Sequence, residues 1–208
     1  SELNSAPWVG SQQRRPEVIA VLGTAMNSGK STTMACLING LTQSGRSVGA
    51  GKITGTGAGN DPMIYHDAGA DQVLDFTDFG YPTTFRLTMT ELRALTVGLV
   101  QQLTQASTDV VVVEIADGIY QEETAQLLRD ELFQQTVDQV VFAASDALGA
   151  RAGVQELQAA GLRVAVASGV MTSSPLATVE ARSVLNGVPV IPTFDLTQPD
   201  CAAALLVR

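Results

Sequence analysis

Gly23-Thr24-Ala25-Met26-Asn27-Ser28-Gly29-Lys30-Ser31-Thr32 lies between the apolar run Val18–Leu22 and a stretch where Met34, Leu37, Ile38 and Leu41 recur at i, i+3, i+4 and i+7. The first pattern is that of a strand buried on both faces, and the second that of an amphipathic helix. Gly45 supplies a stop signal beyond the helix. A glycine-rich turn from strand to helix aims several backbone N–H groups at one anion, and the helix N-terminus adds about half a positive charge. Lys30 is placed to reach the β- and γ-phosphates of a nucleotide, and the Ser31 hydroxyl to ligate Mg²⁺. Gly23, Thr24, Asn27, Ser28, Gly29 and Thr32 complete the expected phosphate cradle. Five residues separate Gly23 from Gly29, where the usual loop has four, and Thr24 takes the expected glycine position.

The chain has 208 residues, of which 45% are hydrophobic and 16% charged. That composition is globular, and its length suits one domain, read over 17–208 behind a polar, proline-containing lead-in over 1–16. The first residue is Ser, so the expectation is a processed product or a domain cut from a longer protein. A net charge of −9 argues against nucleic acid as partner, because phosphate backbones attract Lys and Arg. Cys36 and Cys201 stand far apart with no metal-binding spacing. No apolar stretch approaches 18 residues and no signal-peptide core opens the chain, so a cytoplasmic protein without membrane contact is expected.

Further strands are read at 47–53, 109–115, 137–143, 162–167 and 188–191. A short helix is read over 62–69, a long one from about 89 to 106, and others between the later strands. Residues 73–87 read as irregular and aromatic. Ser174-Pro175 is a helix-start pair and Asn186-Gly187 a stop. Strand starts 25 to 28 residues apart fit crossover units, giving a three-layer α/β P-loop NTPase domain with a mostly parallel sheet.

In such folds ligands bind off the carboxyl ends of the strands. Lys52 ends the second strand, where a second cation would face a γ-phosphate or an anionic substrate group. Thr54 and Thr56, on the Gly-rich loop that follows, are candidates to bind that substrate. Asp61 is read as a Mg²⁺ ligand or, with Pro62, as a helix cap. Glu114 ends the valine-rich strand, where a buried carboxylate calls for a partner or a metal. Asp117 either positions a water or substrate group or belongs to an Asp-Gly turn. His66, the single histidine, leaves no histidine metal cluster available and is read as a half-exposed helix residue or a substrate contact. The aromatic segment Phe76–Phe85 reads as core packing, a substrate lid or a subunit contact.

The five-residue gap in Gly-Thr-x4-Gly-Lys-Ser, the strand-two lysine with its Thr/Gly loop and Asp61, and Glu114-Ile-Ala-Asp-Gly118 together resemble dethiobiotin synthetase and the cobyrinic acid a,c-diamide synthases. The resemblance implies an enzyme in which ATP and Mg²⁺ activate a carboxylate or carbamate of a small anionic molecule by phosphorylation. It implies Lys30, Lys52 and Asp117 in catalysis, with Ser31, Asp61 and Glu114 at the metal. A homodimer with substrate at its interface follows from the same likeness. Ile115 and Asp117 stand where that group has glycines, and Val166-Ala-Ser-Gly169 where it has an adenine-binding Asn. Two other readings remain. One is a nucleotide-dependent switch, whose Thr/Gly loop and aromatic segment are ordered by γ-phosphate; the other is a small-molecule kinase.

Overall fold

The computed structural model describes residues 15–57, 59–104 and 108–207. In chain order these form β1 (Glu17–Gly23), α1 (Lys30–Gln43), β2 (Val48–Thr54), α2 (Asp61–Asp67), β3 (Gln72–Asp75), α3 (Met89–Thr104) and β4 (Val110–Ile115). There follow α4 (Glu122–Leu128), α5 (Glu131–Thr136), β5 (Gln139–Ala143), α6 (Ala147–Ala159), β6 (Val164–Ser168), α7 (Pro175–Val184) and α8 (Pro199–Ala203). The strands make one sheet in the order β3-β2-β4-β1-β5-β6, and every pairing is parallel.

Strand side chains alternate between the two faces of the sheet, and here both faces are covered. Val18, Ala20 and Leu22 of β1 join Leu92, Leu99, Phe133, Val154 and Leu157 in one core. Ile19 and Val21 point the other way, into a core with Met34, Leu37, Ile38 and Leu41 of α1 and Tyr65 of α2. The helices therefore divide into α1, α2 and α8 on one side and α3 to α7 on the other. This is the three-layer α/β arrangement, and double burial explains why β1 and β4 read as unbroken apolar runs.

Register does most to build the site. Val21 and Lys52 both pair with Glu114, so the carboxyl ends of β1, β2 and β4 lie side by side.

Three local features differ from the sequence reading. Gln72–Asp75, which overlaps the start of the stretch read as irregular, pairs with β2 as an edge strand; four half-buried residues are too few to show a period. Residues 188–191 give only an isolated bridge between Ala167 and Val190. Pro189 lies within that segment and Pro192 follows it, and both lack the N–H donor that a strand would need. Between β4 and β5 the chain forms two short helices, because Asp130 caps α5 by accepting from the Leu132 and Phe133 amides. Most of the lead-in, and the last residues of the helix read over 89–106, lie outside the described residues. Among the described residues no helix is long and apolar enough to cross a membrane.

Candidate functional site

β1 delivers the chain to the loop at Gly23, and the Thr24 amide is tied to the Ala143 carbonyl at the end of β5, at 3.0 Å. Asn27 (φ 63°) and Gly29 (φ 94°) take left-handed conformations. At Gly29 a Cβ would be strained and would press on the Val170 backbone, so glycine is required there. α1 then starts with no side-chain cap and no acidic residue in its first turn. Helix ends are usually satisfied by side chains, water or ligands, so this uncapped terminus fits an anion. Lys30 folds back over the loop, its Nζ donating to the Ala25 carbonyl at 2.9 Å. Burial pushes the Lys30 ammonium below the ordinary lysine range, against the opposing pull of the Glu114 and Asp117 carboxylates. The hydroxyls of Thr24 and Ser28 are buried without a hydrogen-bond partner among the described residues.

The centre of the site is Glu114, only 2% exposed. Its Oε2 accepts from the Ser31 hydroxyl at 3.2 Å and from the Tyr65 hydroxyl. Its Oε1 lies 3.7 Å from Lys52 Nζ, and Lys52 also pairs with Asp61. Burial disfavours the Lys52 charge, but Glu114, Asp61 and Asp117 outweigh it and hold Lys52 above the ordinary lysine value. Burial, reinforced by the Glu114 carboxylate, pushes Tyr65 well above the usual tyrosine range, so it remains a phenol donor.

These groups open onto a cavity of 410 Å³ whose lining includes Met26, Lys30, Lys52, Asp61, Glu114 and Asp117. The Asp117 amide donates to Gln121 Oε1 at 3.2 Å, while its carboxylate makes no hydrogen bond or ion pair among the described residues. Beside this cavity, and sharing Gly29, Thr32 and Val170 with it, is a mainly apolar hollow of 190 Å³ that Pro192 and Phe194 also line.

The structure thus gathers Asn27, Gly29, Lys30, Ser31, Thr32, Lys52, Asp61, Glu114 and Asp117 around one space. Thr54 is not among them. Its hydroxyl turns inward to the Ala116 carbonyl at 2.6 Å, which commits it to the end of β4. Thr56 is exposed and pairs with Thr83 in a small antiparallel bridge. Asp61 faces Lys52, with Lys52 between it and Glu114. His66 is more exposed than expected and lies beside Asp67. In the aromatic segment Phe76 is core, Phe79 packs against the core and Phe85 is exposed. Tyr65 had not been singled out in the sequence. The available signal was its i+4 spacing from Asp61, which puts both on one helix face.

Among the described residues no group of three or more His, Cys, Asp or Glu could hold a metal alone. Mg²⁺ on a nucleotide does not require one, since it takes one or two carboxylates with phosphates and waters. Ser31 and Glu114, two hard oxygen donors in contact beside the phosphate loop, fit that role.

No family model matches the sequence, and no curated protein matches it. Similar solved structures include the signal recognition particle receptor FtsY from Elizabethkingia anophelis in complex with GDP, at TM-score 0.54 and 15% identity over 95% of this chain and 65% of that one. Chloroplast FtsY from Physcomitrella patens gives TM-score 0.59 and 13% identity, over 97% of this chain and 70% of that one. The signal recognition particle 54 kDa protein from Aeropyrum pernix K1, in complex with GDP, gives 0.57 and 16%, over 97% and 48%. The chain thus spans less than two thirds of the length of the first and the last of these. The dethiobiotin synthetase resemblance, carried by short motifs, gains no support from them. At these identities the likeness shows the fold: a three-layer α/β domain with an all-parallel six-stranded sheet, of the P-loop NTPase kind.

Proposed function

We propose that this chain binds a nucleoside triphosphate with Mg²⁺, hydrolyses it, and presents the resulting change in its loops to a partner. The reading rests on one observation: the elements that carry the site also expose large apolar side chains. Met26 in the phosphate loop is 66% exposed, Met63 in α2 68%, and Tyr120 after β4 69%. Single exposed apolar residues are ordinary, but several around one site suit a docking face. The likeness to FtsY and the 54 kDa protein supports the same reading at the level of fold.

In this reading Lys30 and the amides at the start of α1 hold the β- and γ-phosphates, and the apolar hollow receives the base. No carboxylate lines that hollow, so the amide and amino donors of guanine would find no acidic acceptor there. Mg²⁺, held by Ser31 and Glu114, would neutralise phosphate charge. A γ-phosphate beside Lys52 would draw it from Asp61 and so loosen α2. Asp117, its carboxylate uncommitted, would orient the attacking water. Catalysis would then be positioning and charge stabilisation.

A second reading is ATP-dependent phosphorylation of a carboxylate or carbamate on a small anionic molecule. Lys52 and Asp117 both lining the cavity favour it. Phosphate release from ATP and GTP, alone and with small dicarboxylates, diamines and amino acids, separates the two. The switch predicts a basal rate unmoved by the panel, with hydrogen exchange of Asp61–Asp67 differing between diphosphate and non-hydrolysable triphosphate. A compound that is consumed as it stimulates the rate would overturn the switch in favour of carboxylate activation.

A further inference from the structure

α2 is short, yet two of its side chains reach the site from one face. Asp61 meets Lys52, and one turn later the Tyr65 hydroxyl donates to Glu114 Oε2. The Tyr65 ring is fully buried in the same core as Met34 and Leu37. Packing accounts for the ring but not for the hydroxyl, since phenylalanine would fill the same space and need no partner. A buried tyrosine hydroxyl requires an acceptor, and the acceptor here is the carboxylate best placed to meet a cation beside the phosphate loop. Ser31 and Tyr65 hold Oε2 from different elements, α1 and α2, which fixes the carboxylate and leaves Oε1 toward Lys52.

We propose that Tyr65 is a positioning residue that holds Glu114 in place for a divalent cation, an inference that rests on the nucleotide and Mg²⁺ reading above. Without the hydroxyl, Glu114 turns toward Lys52 and closes the ion pair there at the expense of the cation. Partners that orient metal ligands typically account for about 10–100-fold in metal affinity.

The test uses the full 208-residue chain and fluorescent analogues of ATP and GTP. Three quantities are compared between wild type and Tyr65→Phe: the half-saturating Mg²⁺ for nucleotide binding, the nucleotide affinity in EDTA, and the melting temperature. The expected result is a rise of about tenfold or more in half-saturating Mg²⁺, with affinity in EDTA unchanged. Tyr65→Met, a second apolar filler without the hydroxyl, carries the same expectation if the phenylalanine variant does not fold. An unchanged Mg²⁺ midpoint overturns the inference alone, as does an equal loss of affinity with and without Mg²⁺. A wild-type chain whose nucleotide binding ignores Mg²⁺ overturns the underlying reading and the inference with it.

Discussion

Lys52→Met tests whether the lysine is an integral part of the site or a solvated strand end. The substitution keeps a long apolar stem and removes the charge between two carboxylates. Lys52 Nζ sits 3.7 Å from Glu114 Oε1 and bonds Asp61. At an effective dielectric of about 20, a pair at that distance is worth about 4–5 kcal/mol. Losing one partner of a buried pair typically costs about 3–5 kcal/mol, because the remaining charge is stranded. Asp61 retains some access to water and Glu114 keeps its two hydroxyl donors, so the net loss should be about 2–3 kcal/mol. Urea unfolding in EDTA without nucleotide measures it. The pH dependence follows from the raised lysine pKa. A basic group whose pKa is higher folded than unfolded contributes stability that is complete below the unfolded value and lost as pH rises through the folded one. Lys52 lies above the ordinary 10.5, so the gap between wild type and variant stays constant from neutral pH upward and narrows only beyond that value. Equal urea midpoints, or a gap that closes near pH 8, would refute the reasoning.

Lys30→Ala should leave the fold intact and reduce nucleotide turnover by at least about 100-fold, as loss of a phosphate-facing donor does; calorimetric nucleotide binding and phosphate release check it. Gly153→Ala places a Cβ inside the buried ring of Phe142. Overpacking of that kind should destabilise by about 1–3 kcal/mol, read as a lower melting temperature without change in nucleotide affinity. Glu91 accepts from the Thr88 amide and hydroxyl at the start of α3, which lowers its pKa. A lowered acidic pKa gives stability present above the unfolded value and lost as pH falls through the folded one. Glu91→Gln should therefore be less stable than wild type at pH 7 in urea titrations, with the gap narrowing as the pH falls below the ordinary glutamate range.

The β1–loop–α1 unit was legible because its signals are local: an apolar run, a glycine turn and a helical period within 25 residues or so. Glu114 and Lys52 were legible singly, as charged groups at the ends of apolar strands. Their contact was not, since it depends on β2 pairing with β4 across more than sixty residues of chain. Thr54 shows how a strand end can be mistaken for a loop. It reads as part of the Gly-rich loop that binds substrate, but it is the last residue of β2, beyond a register shift after Lys52, and its hydroxyl bonds the Ala116 carbonyl. Tyr65 was hidden for another reason. In a seven-residue helix a buried aromatic reads as core, which it is, and only the third dimension reveals its hydroxyl on Glu114.

The charges around the cavity sharpen what the site requires. Three carboxylates, Asp61, Glu114 and Asp117, stand there against two lysines, Lys30 and Lys52. Both ammonium groups are engaged, one on a loop carbonyl and the other between Asp61 and Glu114. The positive field left over comes mainly from the amides at the uncapped start of α1. A polyphosphate entering this acidic chain would be repelled unless two things happened: a divalent cation cancelling Glu114, and Lys52 turning from Asp61 to the phosphate. Both conditions act through α2, because that helix supplies Asp61 to the lysine and Tyr65 to the glutamate. On the nucleotide reading, cation and γ-phosphate therefore pull on the same short helix, and that helix shows the apolar Met63 and Ile64 to solvent beside His66 and Asp67. On the switch reading proposed above, tying both its acid and its second lysine to one exposed element is how the site would report phosphate.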